Sequence, residues 1–214
     1  MKFRWFLLLI LILITISHIS AEDTEGWGEV TVNKVTFKLP EKYLNGTSFD
    51  NFNTGYSKGE KQFFHLNSLI KYESLKSVYG ITSTSRGIID IEECNIEDHD
   101  AVVIYNYNDL YDYDYLDVFF TTGKKIFRIQ YPASNVTDEL KEIINSTPKS
   151  NMSKEVFFNK LDTAQRDYIE EENQKNLELD LEDFYRNYND NRREHFSYVS
   201  WGSNGPTFGG GISW

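Results

Sequence analysis

Cysteine is all but missing from this chain. Cys94 stands alone among 214 residues, so no internal disulfide can form and any fold has to rest on its own apolar core. Cys94 itself reads as a small half-buried residue, the alternative being an intermolecular disulfide or a reactive thiol, for which no neighbouring Cys-His pair speaks. Histidine is scarce too: His18, His65, His99 and His195 are scattered too widely to suggest a zinc site. His99 lies between Asp98 and Asp100, but that stretch reads as a turn, where Asp is favoured for backbone reasons alone. The chain has no G-x-S-x-G elbow, no H-E-x-x-H, no phosphate-binding P-loop and no dinucleotide fingerprint, and no residue is singled out as catalytic. Basic residues are in deficit, 22 against 33 acidic, for a net charge of −11. A nucleic acid partner needs a basic stripe to displace counterions, and an anionic membrane surface needs the same; neither is expected here.

Long apolar runs are also absent, except at the N-terminus. Trp5 to Ile16 is apolar apart from Thr15, and Lys2 and Arg4 precede it. The run has the length of a signal-peptide core and falls short of the ~20 residues of a membrane span. Residues 1–21 are therefore expected to be a signal peptide, with Ala21 last before cleavage, or else a retained N-terminal anchor. Either way the rest of the chain is expected outside the cell or at its surface, touching a membrane only through that segment. Four N-x-Ser/Thr triplets, at Asn45, Asn135, Asn145 and Asn151, become candidate glycosylation sites in that setting.

Residues 27–148 are expected to form an α+β domain. "EVTVNKVTFKLP" alternates in the β manner, with Asn33-Lys34 where a two-residue hairpin turn would sit and Pro40 closing the second strand. Residues 45–59 are rich in Gly, Asn and Ser and read as a loop, "KQFFHLN" as a strand, and residues 68–79 as either helix or strand. "IIDIEECN" and "AVVIYNY" read as one hairpin; residues 116–121 and 125–131 read as another. In "SNVTDELKEIINSTP" the period changes: Val136, Leu140, Ile143 and Ile144 recur at helical spacing behind a cap at Asn135 or Thr137. Strands first and a closing helix afterwards predict an antiparallel sheet with helices packed on it.

The remainder is expected to be a helical extension, 149–195, and a tail, 196–214. Phe157, Leu161, Ala164 and Tyr168 form one stripe and Leu177, Leu181, Phe184 and Tyr188 a second, on two helices or on one with a solvated middle. Between Gln165 and Asp183 eight acidic residues face two basic ones. The Gly-rich tail has few aliphatic residues and is expected to be disordered, with Trp201 as an aromatic contact candidate.

The least ordinary stretch is "YNYNDLYDYDYLDVFF", residues 105–120. As a strand from Tyr113, it puts Tyr113, Tyr115, Asp117 and Phe119 on one face and Asp114, Leu116, Val118 and Phe120 on the other. Tyr111, Tyr113 and Tyr115 are candidate ligand contacts, since flat amphipathic rings suit a partly wet surface such as a sugar. Asp109, Asp112 and Asp114 are the candidate metal ligands, for Ca²⁺, although the D-x-D-x-D-G spacing of an EF-hand loop is lacking. The plainest account of the stretch is a hairpin whose tyrosines cover a sheet face and whose aspartates keep its turn soluble.

The order of "VTFKLPEKY", a variable loop, "HDAVVIYNY", "VFFTTGKKIFRIQYP" and "VTDELKEIINSTP", over residues 28–148, resembles small exported proteins of methanogenic archaea. Their layout is similar to the PsbP-like α+β domain, an antiparallel sheet sandwiched by helices. What the resemblance implies is a non-enzymatic accessory or binding domain; no catalytic residue carries over. The expected function is thus a non-enzymatic binding or accessory protein at the cell surface, with a cell-envelope component or an extracellular protein as partner. The alternatives are an extracellular carboxylate-based hydrolase, with or without Ca²⁺, and an interaction module working through the acidic helices.

Overall fold

The computed structural model describes residues 26–49, 52–56, 63–191, 195–202 and 205–212. The expected signal segment, 1–21, lies outside the described residues. Strands β1 (Trp27–Val32) and β2 (Val35–Pro40) form the first hairpin, with Val32 opposite Val35. Asn33 and Lys34 both take positive φ, 48° and 60°, which is the two-residue turn whose twist matches a hairpin. A 3-10 turn, Glu41–Tyr43, follows.

The main sheet has seven strands, all antiparallel: β3 (Thr47–Phe49), β4 (Phe52–Tyr56), β5 (Phe63–Ser68), β6 (Ile88–Ile96), β7 (His99–Asn108), β8 (Tyr113–Thr122) and β9 (Lys125–Tyr131). Their order across the sheet is β3-β4-β5-β9-β8-β7-β6. Among the described residues three helices accompany it: α1 (Tyr72–Ser83), α2 (Asp138–Asn145) and α3 (Lys154–Asn191). The chain is α+β, as its pattern of strands and helices predicts.

The first face of the sheet carries Phe64, Leu66, Leu116, Val118, Phe120, Phe127 and Ile129. Hairpin β1–β2 and helix α2 cover it, burying Phe37, Leu39, Leu140, Ile143 and Ile144. Phe37 meets Phe127 and Phe120 edge-on, at centroid separations of 5.1 and 6.4 Å. Thr137 caps α2, its side chain accepting from the Leu140 amide at 3.2 Å. The second face carries Val102, Ile104, Phe119 and Ile126 beneath α1 and the start of α3, which contribute Leu75, Tyr79, Phe157, Leu161 and Ala164.

Several expectations differ from what folds. Residues 45–59, read as a loop, contain β3 and β4; Asn and Gly are poor strand formers alone, but pairing with β5 satisfies the backbone of β4, and short polar strands suit a sheet edge. The ambiguous residues 68–79 resolve into helix α1, because Leu75 and Tyr79 are buried one turn apart. His99 is no turn residue: it opens β7 fully buried, hydrogen-bonded through Nδ1 to the Thr121 carbonyl at 2.7 Å. The compact unit runs on to Ala164 instead of ending at 148, since Phe157, Leu161 and Ala164 belong to its core.

The second unit comprises residues 165–214. The two stripes ride on a single helix, α3, and Leu177, Leu181 and Phe184 are exposed on it. The tail expected to be disordered forms a hairpin, β10 (His195–Gly202) with β11 (Gly205–Ile212). Its register sets Tyr198 against Gly209 and Phe196 against Gly211, so aromatic residues stand opposite glycines that pack poorly by themselves.

Candidate functional site

The second face of the sheet is covered over only part of its length, and the chemistry gathers where cover ends. The register builds a row running His65, Gln130, Asp117, Ile104 across β5, β9, β8 and β7. The neighbouring row on one side is Asn67, Arg128, Phe119, Val102, which leads under the helices. On the other side Tyr115 faces Asn106, and Tyr113 faces Asn108.

Asp117 is the hub. It is 1 % exposed and the only buried carboxylate among the described residues. One oxygen, Oδ1, accepts from Arg128 Nη2 and Nε at 2.5 and 2.6 Å. The other, Oδ2, accepts from Asn106 Nδ2 at 3.2 Å. Burial pushes the Asp117 carboxyl above the usual range, while the Arg128 guanidinium and Gln130 pull it back. His65 Nδ1 lies 3.0 Å from Gln130 Oε1, and burial holds its imidazole below the ordinary histidine value.

Aromatic rings border this polar band. Phe63 lies 5.6 Å from Tyr113, 6.2 Å from Tyr115 and 5.5 Å from His65, centroid to centroid. Tyr113 and Tyr115 are 5.9 Å apart, and Phe52 lies 6.0 Å from His65. Phe63, His65, Tyr113 and Tyr115 are all half-buried, so each keeps part of its surface open. Burial, then the charge of Asp117, raises the Tyr115 hydroxyl above its usual pKa, which keeps it a protonated donor at neutral pH.

A pocket of about 390 Å³ opens behind these strands, on the first face. Asp90, Glu92, Tyr105, Asp114 and Leu116 line it; Asn106 and Tyr115 border it from strand positions whose side chains alternate to the other face. The Tyr105 hydroxyl donates to Glu92 at 2.8 Å and is pushed up to about 12, by burial first and Glu92 second. On the second face Asn106 Oδ1, opposite Tyr115, is buried with no hydrogen-bond partner among the described residues; Asn67 Oδ1, beside Arg128 in the register, is in the same condition.

No family model, curated protein or solved structure matches this chain. The site therefore has to speak through its own geometry.

The structure separates the residues singled out in the sequence. Tyr113 and Tyr115 belong to the ring cluster; Tyr111 does not, standing on the β7–β8 turn with 60 % exposure. Asp112 takes positive φ in that turn and accepts from the Tyr107 hydroxyl at 2.8 Å. Asp114 points to the opposite face and lines the pocket. Asp109, Asp112 and Asp114 do not come together as a ligand set: among the described residues no group of three or more His, Cys, Asp or Glu could hold a metal ion. Trp201 belongs to the second unit, at the register position opposite Pro206. Asn45, Asn135, Asn145 and Asn151 are all exposed, and Asn135 stands at the rim of the pocket.

Arg128, Asn106, Gln130, His65 and Phe63 were not singled out from the sequence. A lone Asp inside "LDVFFTT" and a lone Arg inside "KIFRIQY" were the available signal. An interior charge on a strand demands a partner, and a turn at 123–124 brings the two within one row of each other.

Proposed function

We propose that this chain is an exported, non-enzymatic binding module of the cell surface, and that its contact surface is the ring cluster of Phe63, Tyr113 and Tyr115 with the Asn106 amide beside it. The observation that carries the reading is the coincidence of half-open aromatic rings with a buried, unpartnered acceptor, Asn106 Oδ1, on the same face and directly opposite Tyr115 in the register. Rings offer flat apolar area, and an orphaned acceptor asks for a hydroxyl donor. A polyhydroxylated envelope component, a glycan, supplies both faces of that chemistry. The Arg128–Asp117 pair holds the floor of the site rigid, since each group fixes the other and Asn106 as well.

The N-terminal apolar segment supports export, and the PsbP-like layout suggested by the sequence supports an accessory or binding role. A two-carboxylate hydrolase is less well supported: it needs a second converging acid beside Asp117, whose Oδ1 is already engaged by Arg128. A second reading, an interaction module, draws on α3, where Leu177, Leu179, Leu181, Phe184 and Tyr185 are exposed among acidic residues.

The test is co-sedimentation of residues 22–214 with isolated envelopes of the source organism, in Ca²⁺ and in EDTA, beside Tyr113→Ala/Tyr115→Ala. Binding in both media, weakened about tenfold or more by the double substitution, is the expected result. Binding in Ca²⁺ only would restore a cation-dependent contact at the aspartates. Pelleting that ignores the tyrosines would overturn the proposed surface, and salt-sensitive recovery of one soluble protein instead would favour the α3 reading.

A further inference from the structure

At the other end of the second face lies a smaller pocket, of about 290 Å³, with the opposite electrical character. Its floor is apolar: Leu69, Leu75 and Ile126 are buried there, and Met152 is half-buried. Its walls carry four lysines, Lys71, Lys124, Lys125 and Lys160, and no carboxylate. They come from four separate places: the residue before α1, the β8–β9 turn, the start of β9, and α3 within the first unit.

In a chain of net charge −11, a cavity lined by four lysines runs against the composition. Lys71, Lys124 and Lys160 have no ion pair among the described residues, whereas Lys42, Lys76, Lys141, Lys149 and Lys175 each have at least one. Lys125 is held in place by the Asn33 carbonyl, to which its Nζ donates. The one acid of α1's first turn, Glu73, is drawn away by Lys76 at 2.8 Å. Helix α1, twelve residues long, also begins at this pocket, and Lys71 at its N-cap makes no side-chain cap. Amide donors and the positive end of the helix dipole thus add to the lysines. Clustered like charges repel, and nothing in the described protein offsets them here; an anion would.

We infer that this pocket binds a single amphiphilic anion, a phosphate or carboxylate on a short aliphatic stem, with its charge among Lys71, Lys124 and Lys160 and its stem against Leu75, Ile126 and Met152. A free molecule fits better than a bilayer, because the acidic remainder of the chain would be repelled by an anionic membrane. The site is separate from the ring cluster and does not depend on the function proposed for it.

The experiment is titration of the full chain with octyl phosphate below its micellar range, followed by calorimetry and by the Met152 methyl resonance. Inorganic phosphate, octanol and vesicles containing anionic lipid are run alongside. Saturable binding of octyl phosphate is expected, with inorganic phosphate and octanol each weaker by about tenfold or more, because each lacks one half of the contact. Lys124→Gln/Lys160→Gln should weaken octyl phosphate by about tenfold or more with the thermal midpoint unchanged, since both side chains are exposed. Equal binding by the double variant, octanol binding as well as octyl phosphate, association with vesicles alone, or no binding at all would each overturn the inference.

Discussion

Strand β8 serves two unlike surfaces with alternate residues, one closed by its cover and one left partly open. Leu116, Val118 and Phe120 point to the first face and are completely buried beneath hairpin β1–β2 and helix α2. Tyr113, Tyr115, Asp117 and Phe119 point to the second, and exposure falls along them, from half-open rings through a buried charge to a ring sealed under α1 and α3. One face is saturated with contacts; the other passes from wet to dry within seven residues. On the proposed reading, contact and stability fall on opposite sides of one sheet. Mutations can then be placed to disturb one without the other.

The largest break expected is on the saturated face. Phe37→Ala removes a ring that meets both Phe120 and Phe127 and leaves a cavity that backbone relaxation fills only in part. It should cost about 3–5 kcal/mol in denaturant unfolding. A loss under 1 kcal/mol would mean that hairpin β1–β2 is a detachable cover and the contrast between the faces is false.

A smaller break is expected at the boundary of the second face. Asp117→Ala strands Arg128 and the Asn106 amide and should cost about 3 kcal/mol. Asp117→Asn keeps an acceptor for Arg128 and should cost about half as much, the charge-assisted part of the contact alone. Equal losses from the two would mean that the carboxylate acts only by its shape.

The finest probe is pH. His65 is held below the ordinary imidazole pKa by burial, so folding favours its neutral form. Its contribution to stability is fully present above about pH 6.5 and is lost as the pH falls through the lower, folded-state value. His65→Gln should therefore flatten the loss of unfolding free energy between neutral and mildly acid solution; an unchanged slope would show that the imidazole does not feel the sheet.

Much of the first face could be read from the sequence. The Asn33-Lys34 turn, the paired strands around it, and helix α2 behind Thr137 all announce themselves through local rules of turn and cap. Strands β7, β8 and β9 show in their dense apolar and aromatic content. Helix α1 is harder to see because Ile70, Tyr72 and Ile81 are exposed, which blurs the buried stripe of Leu75 and Tyr79. Strands β3 and β4 are held by their neighbour β5 more than by their own residues. The candidate site was half visible: alternation alone put Tyr113, Tyr115 and Asp117 on one face, but Phe63 and His65 join them from β5, some fifty residues earlier. Such a meeting depends on the order of strands in the sheet, which no local pattern encodes. The tail misled for the same reason, its aromatic residues pairing with glycines on a strand that looks shapeless in isolation.

The first hairpin also says something about time. A ribosome makes β1 and β2 before any strand of the sheet they cover. The Lys38 amide is finally capped by the Ser146 hydroxyl, 108 residues further along, and Phe37 waits for Phe120 and Phe127. Until those arrive, an apolar ribbon stands unprotected at the front of the growing chain. Such long-range closure makes for slow folding and a sticky intermediate, so the earliest part of the domain to be synthesised is among the last to be safe.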